Sequence, residues 1–526
     1  MKKKLLYAFA LLAAGTLITG CGRRSYIVFV TATPPSGDGS AASPGQGAPS
    51  PEEPLPDDAT GQPPVIEPSL PPTPNPTRVG LPDPVEQDLY IVQSGDTLRL
   101  IADRYGVSVD TVLKANDLPD EDLLSIGQAL LIPQAVSHQG PDNKLIPDSE
   151  LVYGPAARDF DLSAFVAGHP GFLRDYTEEV EGFVMSGAQI VDRVALEQSV
   201  NPRLLLALLE YESGWVTRTS LNDFERIYPM NYLENGGEVS GLYKQLSWAA
   251  NQLNEGYYGW RLHGQWAVLL ADGTRVAYAP TLNAGTVAVQ NLLAHTRGWE
   301  EWGRAVSYKG FWRAYYVLFG DAFQYAVEPL IPPDLQQPDL SFPWAAGEAW
   351  YYTGGPHGGW ASGSAWAALD FATGDIGLGC YVSEAWATAV ADGIIARSEP
   401  GIVVLDLDGD GFEGTGWTIF YLHLDSQDRA VQQGTLVRRG DPIGHPSCEG
   451  GVSYATHLHL ARRYNGEWIP ADCSQCLLTV PTSPLVLSGW TAFSFEREYD
   501  GSLLNGDLYR EARQAREPIN ELVYYE

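Results

Sequence analysis

Three residues near the C-terminal end of the chain, His457-Leu458-His459, restrict its architecture more than any other stretch. Successive side chains of an extended strand take opposite faces, so Ala455-Thr456-His457-Leu458-His459-Leu460 sets two imidazoles on one face and two leucines on the other. Two imidazoles side by side suit a divalent metal, and a catalytic zinc site needs about three protein ligands plus a water. Upstream candidates are His357, in Gly354-Gly355-Pro356-His357-Gly358-Gly359-Trp360, and Asp370, in the apolar run Ala367-Ala368-Leu369-Asp370-Phe371-Ala372. A carboxylate buried in such a run is costly unless it is paired or bound to a metal. His423 follows in Thr418-Ile419-Phe420-Tyr421-Leu422-His423-Leu424, a strand whose leucines are expected to face away from the imidazole.

With Ala391-Asp392-Gly393-Ile394-Ile395 and Gly440-Asp441-Pro442-Ile443-Gly444 between them, the series His, Asp, Tyr-x-His-Leu and His-x-His resembles the lysostaphin/LytM-type zinc endopeptidases, which cut cell-wall peptides. The long interval from His357 to Asp370 is similar to that of the β-lytic and staphylolysin branch, where a loop separates the two ligands. The resemblance implies an antiparallel β metallopeptidase domain, with Zn²⁺ held by His357, Asp370 and His459 and with His423 and His457 as a non-ligand catalytic pair. Two neutral imidazoles and one carboxylate leave a zinc ion one formal positive charge and an open position, so its water is acidified toward a pKa of about 7. His423 and His457 would orient or deprotonate that water and hydrogen-bond the developing oxyanion, with the division of tasks between them open. The rival reading is a non-catalytic wall-binding regulator or scaffold, against which the intact ligand set argues.

A chain of 526 residues is too long for a single core. Met1-Lys2-Lys3-Lys4 is a basic start, Leu5 to Leu17 is apolar, and Leu17-Ile18-Thr19-Gly20-Cys21 resembles a bacterial lipobox. Residues 1–20 thus read as a lipoprotein signal peptide and Cys21 as a lipidation site, giving an extracytoplasmic protein anchored to the cell membrane. Residues 21–88 form a Pro/Gly-rich linker too poor in apolar surface to fold. Of the five cysteines, Cys380, Cys448, Cys473 and Cys476 remain for disulfides outside the cytosol, with Cys380–Cys448 and Cys473–Cys476 the preferred pairing among three connectivities. A formal net charge of -32 argues against nucleic acid as a partner and against holding anionic lipid by charge.

Residues 89–134 carry Tyr90-x-Val92-x-Ser94-Gly95-Asp96-Thr97-Leu98, Ile101-Ala102-x-x-Tyr105-Gly106-Val107 and Ile126-Gly127-Gln128-x-Leu130-x-Ile132-Pro133 in register. They resemble a LysM module, a small βααβ fold, which implies binding to peptidoglycan glycans. Residues 150–335 read as helical: Asn201-Pro202 starts a helix that runs to Gly214, with Leu205, Leu208, Leu209 and Glu212 on one face. The run Leu209-Glu210-Tyr211-Glu212-Ser213-Gly214, with Gly241-Leu242-Tyr243-Lys244-Gln245 and Leu282-Asn283-Ala284-Gly285, resembles lysozyme-like muramidases and makes Glu212 a candidate general acid for glycan cleavage. The departures at Lys244 and Leu282 leave a domain that only holds glycan as the alternative. Residues 340–482 are the metallopeptidase region. Within it, Asp406-Leu407-Asp408-Gly409-Asp410-Gly411 suits Ca²⁺ through alternate carboxylates and suits an Asp-Gly-rich hairpin turn equally. Residues 483–526 are an acidic C-terminal extension without an evident role. The expected molecule is multidomain and binds peptidoglycan, cutting its peptides with zinc.

Overall fold

The computed structural model describes residues 87–525, apart from 93–95, 105–106, 108, 117, 119–123, 125–127, 134–137, 234–238, 376–378, 475, 477–482 and 496. The expected signal peptide, Cys21 and residues 22–86 of the Pro/Gly-rich segment lie outside the described residues. No described helix is long and apolar enough to cross a membrane.

β1 (Gln87–Ile91) pairs antiparallel with β2 (Ala129–Pro133), and α1 (Leu98–Arg104) and α2 (Val109–Ala115) lie between them in sequence. Tyr90, Leu98, Ile101, Val112, Leu130 and Ile132 make the small core. Asn116 ends α2 and clamps β2: its amide donates to the Leu131 carbonyl at 2.6 Å and accepts from the Leu131 N–H at 2.6 Å. The Tyr90 hydroxyl donates to Asp96 at 2.6 Å, tying β1 to the residues just before α1.

The next region is built on α3 (Gly187–Gln198), α4 (Pro202–Ser213), α5 (Leu242–Leu262), α6 (Ala284–Ala294) and α7 (Phe311–Phe319). Their ends are written in the sequence. Ser186 and Gln189 close a capping box before α3, and Asn201 caps α4, which stops at Gly214 with φ 69°. The Asn-Ala-Gly at the start of α6 is a structural clasp, in which the Asn283 amide and the Gly285 N–H both donate to Asp148 at 2.7 Å. Gln245 is fully buried and holds a loop, accepting from the Met230 N–H and donating to the Tyr232 carbonyl.

The C-terminal region is a nine-stranded sheet, among the described residues. Its strands are β3 (Trp350–His357), β4 (Ala368–Ala372), β5 (Gly393–Glu399), β6 (Gly401–Asp406), β7 (Trp417–Leu424), β8 (Leu436–Val437), β9 (Leu458–Tyr464) and β10 (Glu467–Trp468), completed by β15 (Glu521–Leu522) from the tail. The order is β8-β5-β6-β7-β9-β4-β3-β15, antiparallel throughout, with β10 on β9. The extension supplies β11 (Val486–Leu487), β12 (Trp490–Ser494), β13 (Gly501–Asn505) and β14 (Leu508–Glu511) as a second sheet, then β15 (Glu521–Leu522).

Both faces of the large sheet are covered, which is why β6 and β7 read as nearly unbroken apolar runs. Val403, Leu405, Ile419, Tyr421, Leu458 and Leu460 pack with the tail sheet and with Phe342 and Trp344. Ile402, Val404, Phe420, Leu422, Ala461 and Trp468 share one core with the helices. Polar contacts fix that second junction. The Ser199 hydroxyl donates to the Gly466 carbonyl at 2.6 Å, the Trp468 N–H donates to the Tyr258 hydroxyl at 2.9 Å, and Arg261 pairs with Glu467 at 3.1 Å.

Candidate metal centre

The register of β3, β4 and β9 assembles the site. His459 stands opposite Asp370, which stands opposite Gly354 on β3, and the β3 bulge between Gly354 and His357 turns the His357 ring inward. Asp370 Oδ1 lies 3.3 Å from His357 Nε2 and 3.3 Å from His459 Nδ1, and the two ring nitrogens are 3.0 Å apart. His457 Nε2 is 3.6 Å from the same carboxylate oxygen. His457 also meets the ring of His423, centroid to centroid at 4.5 Å. Five of the residues singled out by the sequence are therefore gathered around one point. Glu212 is not among them.

Main-chain carbonyls decide the tautomer of each imidazole. Nδ1 of His357 faces the Gly355 carbonyl at 2.8 Å, Nε2 of His459 faces Gly359 at 3.0 Å, Nδ1 of His423 faces Glu449 at 3.2 Å and Nδ1 of His457 faces Ala455 at 2.8 Å. A carbonyl only accepts, so each of these nitrogens carries the proton and the other nitrogen of each ring presents a lone pair. His357 Nε2, His459 Nδ1 and Asp370 Oδ1 then point three lone pairs at one spot, and Asp370 Oδ1 is buried without a hydrogen bond. Such a trio repels itself unless a cation sits between its members. The donor set, two imidazoles and a carboxylate with ligand atoms within 4.8 Å of one another, fits zinc.

Without a cation the cluster is instead held together by coupled charges on its own members. Burial disfavours the imidazolium of His357, yet the Asp370 carboxylate prevails and raises its pKa. Burial likewise opposes ionisation of Asp370, but the charges of His357 and His457 hold it well below the usual carboxylate range. His423 is pushed down to about 3, by burial first and then by His457 and His459, so its imidazole stays neutral.

His423 reaches the site by a route that strand alternation does not give. Leu422 pairs with His459 and shares its face, while Leu424 pairs with Gly401, leaving His423 as an extra residue at φ 67°. The expectation that both flanking leucines face away from the ring is corrected accordingly: Leu422 lies on the His459 face, and the bulge turns His423 back onto it. The tail contributes residues that sequence reasoning missed. Tyr499 stacks on His357 at 4.2 Å, and Glu498 accepts the Gly358 N–H at 3.0 Å. The signal was the cluster Glu496-Arg497-Glu498-Tyr499-Asp500-Gly501, a turn with an aromatic at its tip.

The disulfides are Cys380–Cys448 and Cys473–Cys476, the preferred pairing. Asp406, Asp408 and Asp410 do converge, but on their own turn. Asp406 accepts from the Asp408 and Gly411 N–H groups, and Asp410 pairs with Arg158 of the helical region at 2.6 Å, a cation already in place. Glu212 is locked to Arg297 at 2.7 Å, with its side chain 3% exposed.

Against this geometry stand the likenesses to known proteins. Residues 90–133 match the LysM domain family, and residues 144–333 match the family described as LasA, N-terminal domain. The two matches lie in that order ahead of the β region that holds the histidine cluster. The chain is similar to Protease LasA of Pseudomonas aeruginosa (strain UCBPP-PA14), 25% identical over 346 residues that cover 61% of this chain and 74% of LasA. Among solved structures it is similar to the M23 metalloprotease pseudoalterin from the deep sea, at 22% identity, 34% of this chain, 96% of that one and a TM-score of 0.27. It is also similar to the catalytic domain of the antimicrobial peptidase lysostaphin from Staphylococcus simulans, at 23% identity, 24% of this chain, 85% of that one and a TM-score of 0.16.

Proposed function

We propose that the protein is a peptidoglycan hydrolase, a zinc endopeptidase that cuts cell-wall peptide bonds, brought to its substrate by the LysM module and tethered through lipid on Cys21. The observation that carries the reading is the convergence of the lone pairs of His357 Nε2, Asp370 Oδ1 and His459 Nδ1. A zinc ion held there supplies a Lewis acid for the amide carbonyl and acidifies a water. His423 and His457, each with its Nδ1–H fixed by a carbonyl, present Nε2 beside the site, where the pair orients the attacking water and manages its proton. No carboxylate outside the ligand set is required as a base. Peptide release from purified sacculi, assayed with chelator and after zinc is restored, tests the proposal. Absent or chelator-insensitive hydrolysis favours a non-catalytic wall-binding regulator.

Replacing His423 or His457 by alanine is expected to keep the zinc and lower kcat by about 10²- to 10⁴-fold. Metal analysis alongside a single-peptide assay separates this from ligand loss. Gly354 admits no side chain, since a Cβ there would lie 2.5 Å from Asp370 Oδ2. Gly354→Ala is therefore expected to push the carboxylate aside and weaken zinc retention by about 10- to 100-fold, as loss of a partner that orients a ligand does, read by competition with a chromogenic chelator.

For the helical domain we favour holding glycan over cutting it, because the Glu212 carboxylate is engaged by Arg297 and closed off from solvent. Burial raises its pKa while Arg297 opposes the rise. Glu212→Gln should leave the glycan fragments released from sacculi unchanged and cost about 1–3 kcal/mol of stability. A fall in glycan cleavage with stability intact would restore Glu212 as an acid. The converging aspartates at 406, 408 and 410 are already served by Arg158 and main-chain amides, so no Ca²⁺ is assigned there.

A further inference from the structure

Solvent reaches the histidine cluster unevenly. The side chains of His357 and His459 are 4% and 6% exposed, whereas that of His457 is 19% exposed. The His357 side is closed by the stacked Tyr499 ring. The loop from His357 to Asp370 is pinned to α5, where the Gly363 N–H donates to Asn251 at 2.8 Å. Substrate therefore enters beside His457.

Two loops stand there. One carries Val452 and Tyr454, 82% and 90% exposed, and the other carries Val382, 52% exposed. They are bolted together by Cys380–Cys448, by the Thr456 N–H donating to the Gly379 carbonyl at 3.0 Å, and by the Thr456 hydroxyl donating to the Tyr381 carbonyl at 2.6 Å. The same loop leads directly into His457, which bridges to Ser447. The charged Glu449 of that loop is turned away, since its carboxylate accepts the N–H and the hydroxyl of Ser426 at 2.6 and 2.7 Å. Single exposed apolar side chains are ordinary on a surface. Three on two cross-linked loops, next to a reactive centre in a chain of net charge -32, make an apolar shelf that loses little entropy when it is covered.

We propose that Val382, Val452 and Tyr454 form a specificity subsite that takes an aliphatic side chain flanking the scissile bond, so that the enzyme prefers a wall peptide with an aliphatic residue there to an all-glycine one. This rests on the peptidase reading and names the substrate class it selects. The test uses the full chain, stripped of metal so that nothing is turned over, and two blocked peptides: pentaglycine, and the same peptide with one leucine beside the central glycine. Calorimetric titration is expected to show the leucine peptide bound ~10-fold more tightly, about what burying a few methylenes gives. A V452S/Y454S double variant is expected to bring that ratio near one. A V317S variant, altering a valine 64% exposed on α7, should keep it. A ratio of one in the unaltered protein, or a ratio unchanged in the double variant, overturns the subsite. So does light scattering that shows a dimer dissociated by V452S/Y454S, because the shelf then belongs to a second copy. A protein that prefers the leucine peptide yet cleaves neither peptide after zinc is restored retains the subsite and loses the peptidase reading instead.

Discussion

Replacing His459 by alanine is expected to leave a correctly folded protein that no longer retains zinc and hydrolyses cell-wall peptide at least about 10³-fold more slowly. A zinc ion held there would supply several kcal/mol to the transition state, and each 1.36 kcal/mol is a factor of ten. The fold survives because β9 is held by Leu458 and Leu460 on its other face and by pairing to both β7 and β4. In the metal-free protein Asp370 and His357 remain coupled by charge, so His459→Ala is expected to change stability little once chelator is present. Metal content by atomic absorption, far-ultraviolet circular dichroism and a peptide-release assay on one preparation decide the matter. A variant holding one equivalent of zinc per chain would remove His459 from the ligand set.

The second large effect falls on stability. Glu413 is buried between Arg397, at 2.7 Å, and Arg463, at 2.5 Å, beneath the junction of sheet and helices. Glu413→Gln takes from the buried Arg463 the carboxylate it pairs with and leaves Arg397 with Glu399, at 3.2 Å, and is expected to cost about 3–5 kcal/mol, the usual penalty for breaking a buried pair from one side. Denaturant midpoints measure it. The pH dependence has a definite sign. Burial pushes the Glu413 pKa up, but Arg397 and Arg463 together hold it below its ordinary value of 4.5. A depressed pKa means that the folded state favours the charged form. Its stabilisation is complete above pH 4.5 and is lost as the pH falls through the lower, folded-state value. The Glu413→Gln protein should lack that part of the acid sensitivity.

Particular residues show what the sequence made legible. The pairing of an isolated carboxylate, Asp370, with His457-x-His459 could be read because strand alternation and an apolar context are local properties, and the register of β4 against β9 places them together. The ends of α4 and the small core around Tyr90 were legible for the same reason. His423 was legible as a residue but not as a geometry, since a bulge depends on which residue of β6 stands opposite. Tyr499 and Glu498 could not be found from local pattern at all, because their partners lie across the fold at His357 and Gly358. Glu413 sits in a stretch rich in Asp and Gly that reads as exposed turn, and only the sheet–helix junction buries it. Glu212 could be placed on the helix that ends at Gly214, but its partner, Arg297, arrives from a distant loop that no local pattern shows.

The four imidazoles are oriented by carbonyls of Gly355, Gly359, Glu449 and Ala455. No exchange of a neighbouring amino acid can delete a peptide oxygen, so the basicity of these rings is insulated from ordinary drift at surrounding positions. Retuning the centre toward another ion would instead demand lengthening or shortening of the connecting loops, a rarer kind of genetic event than a point change.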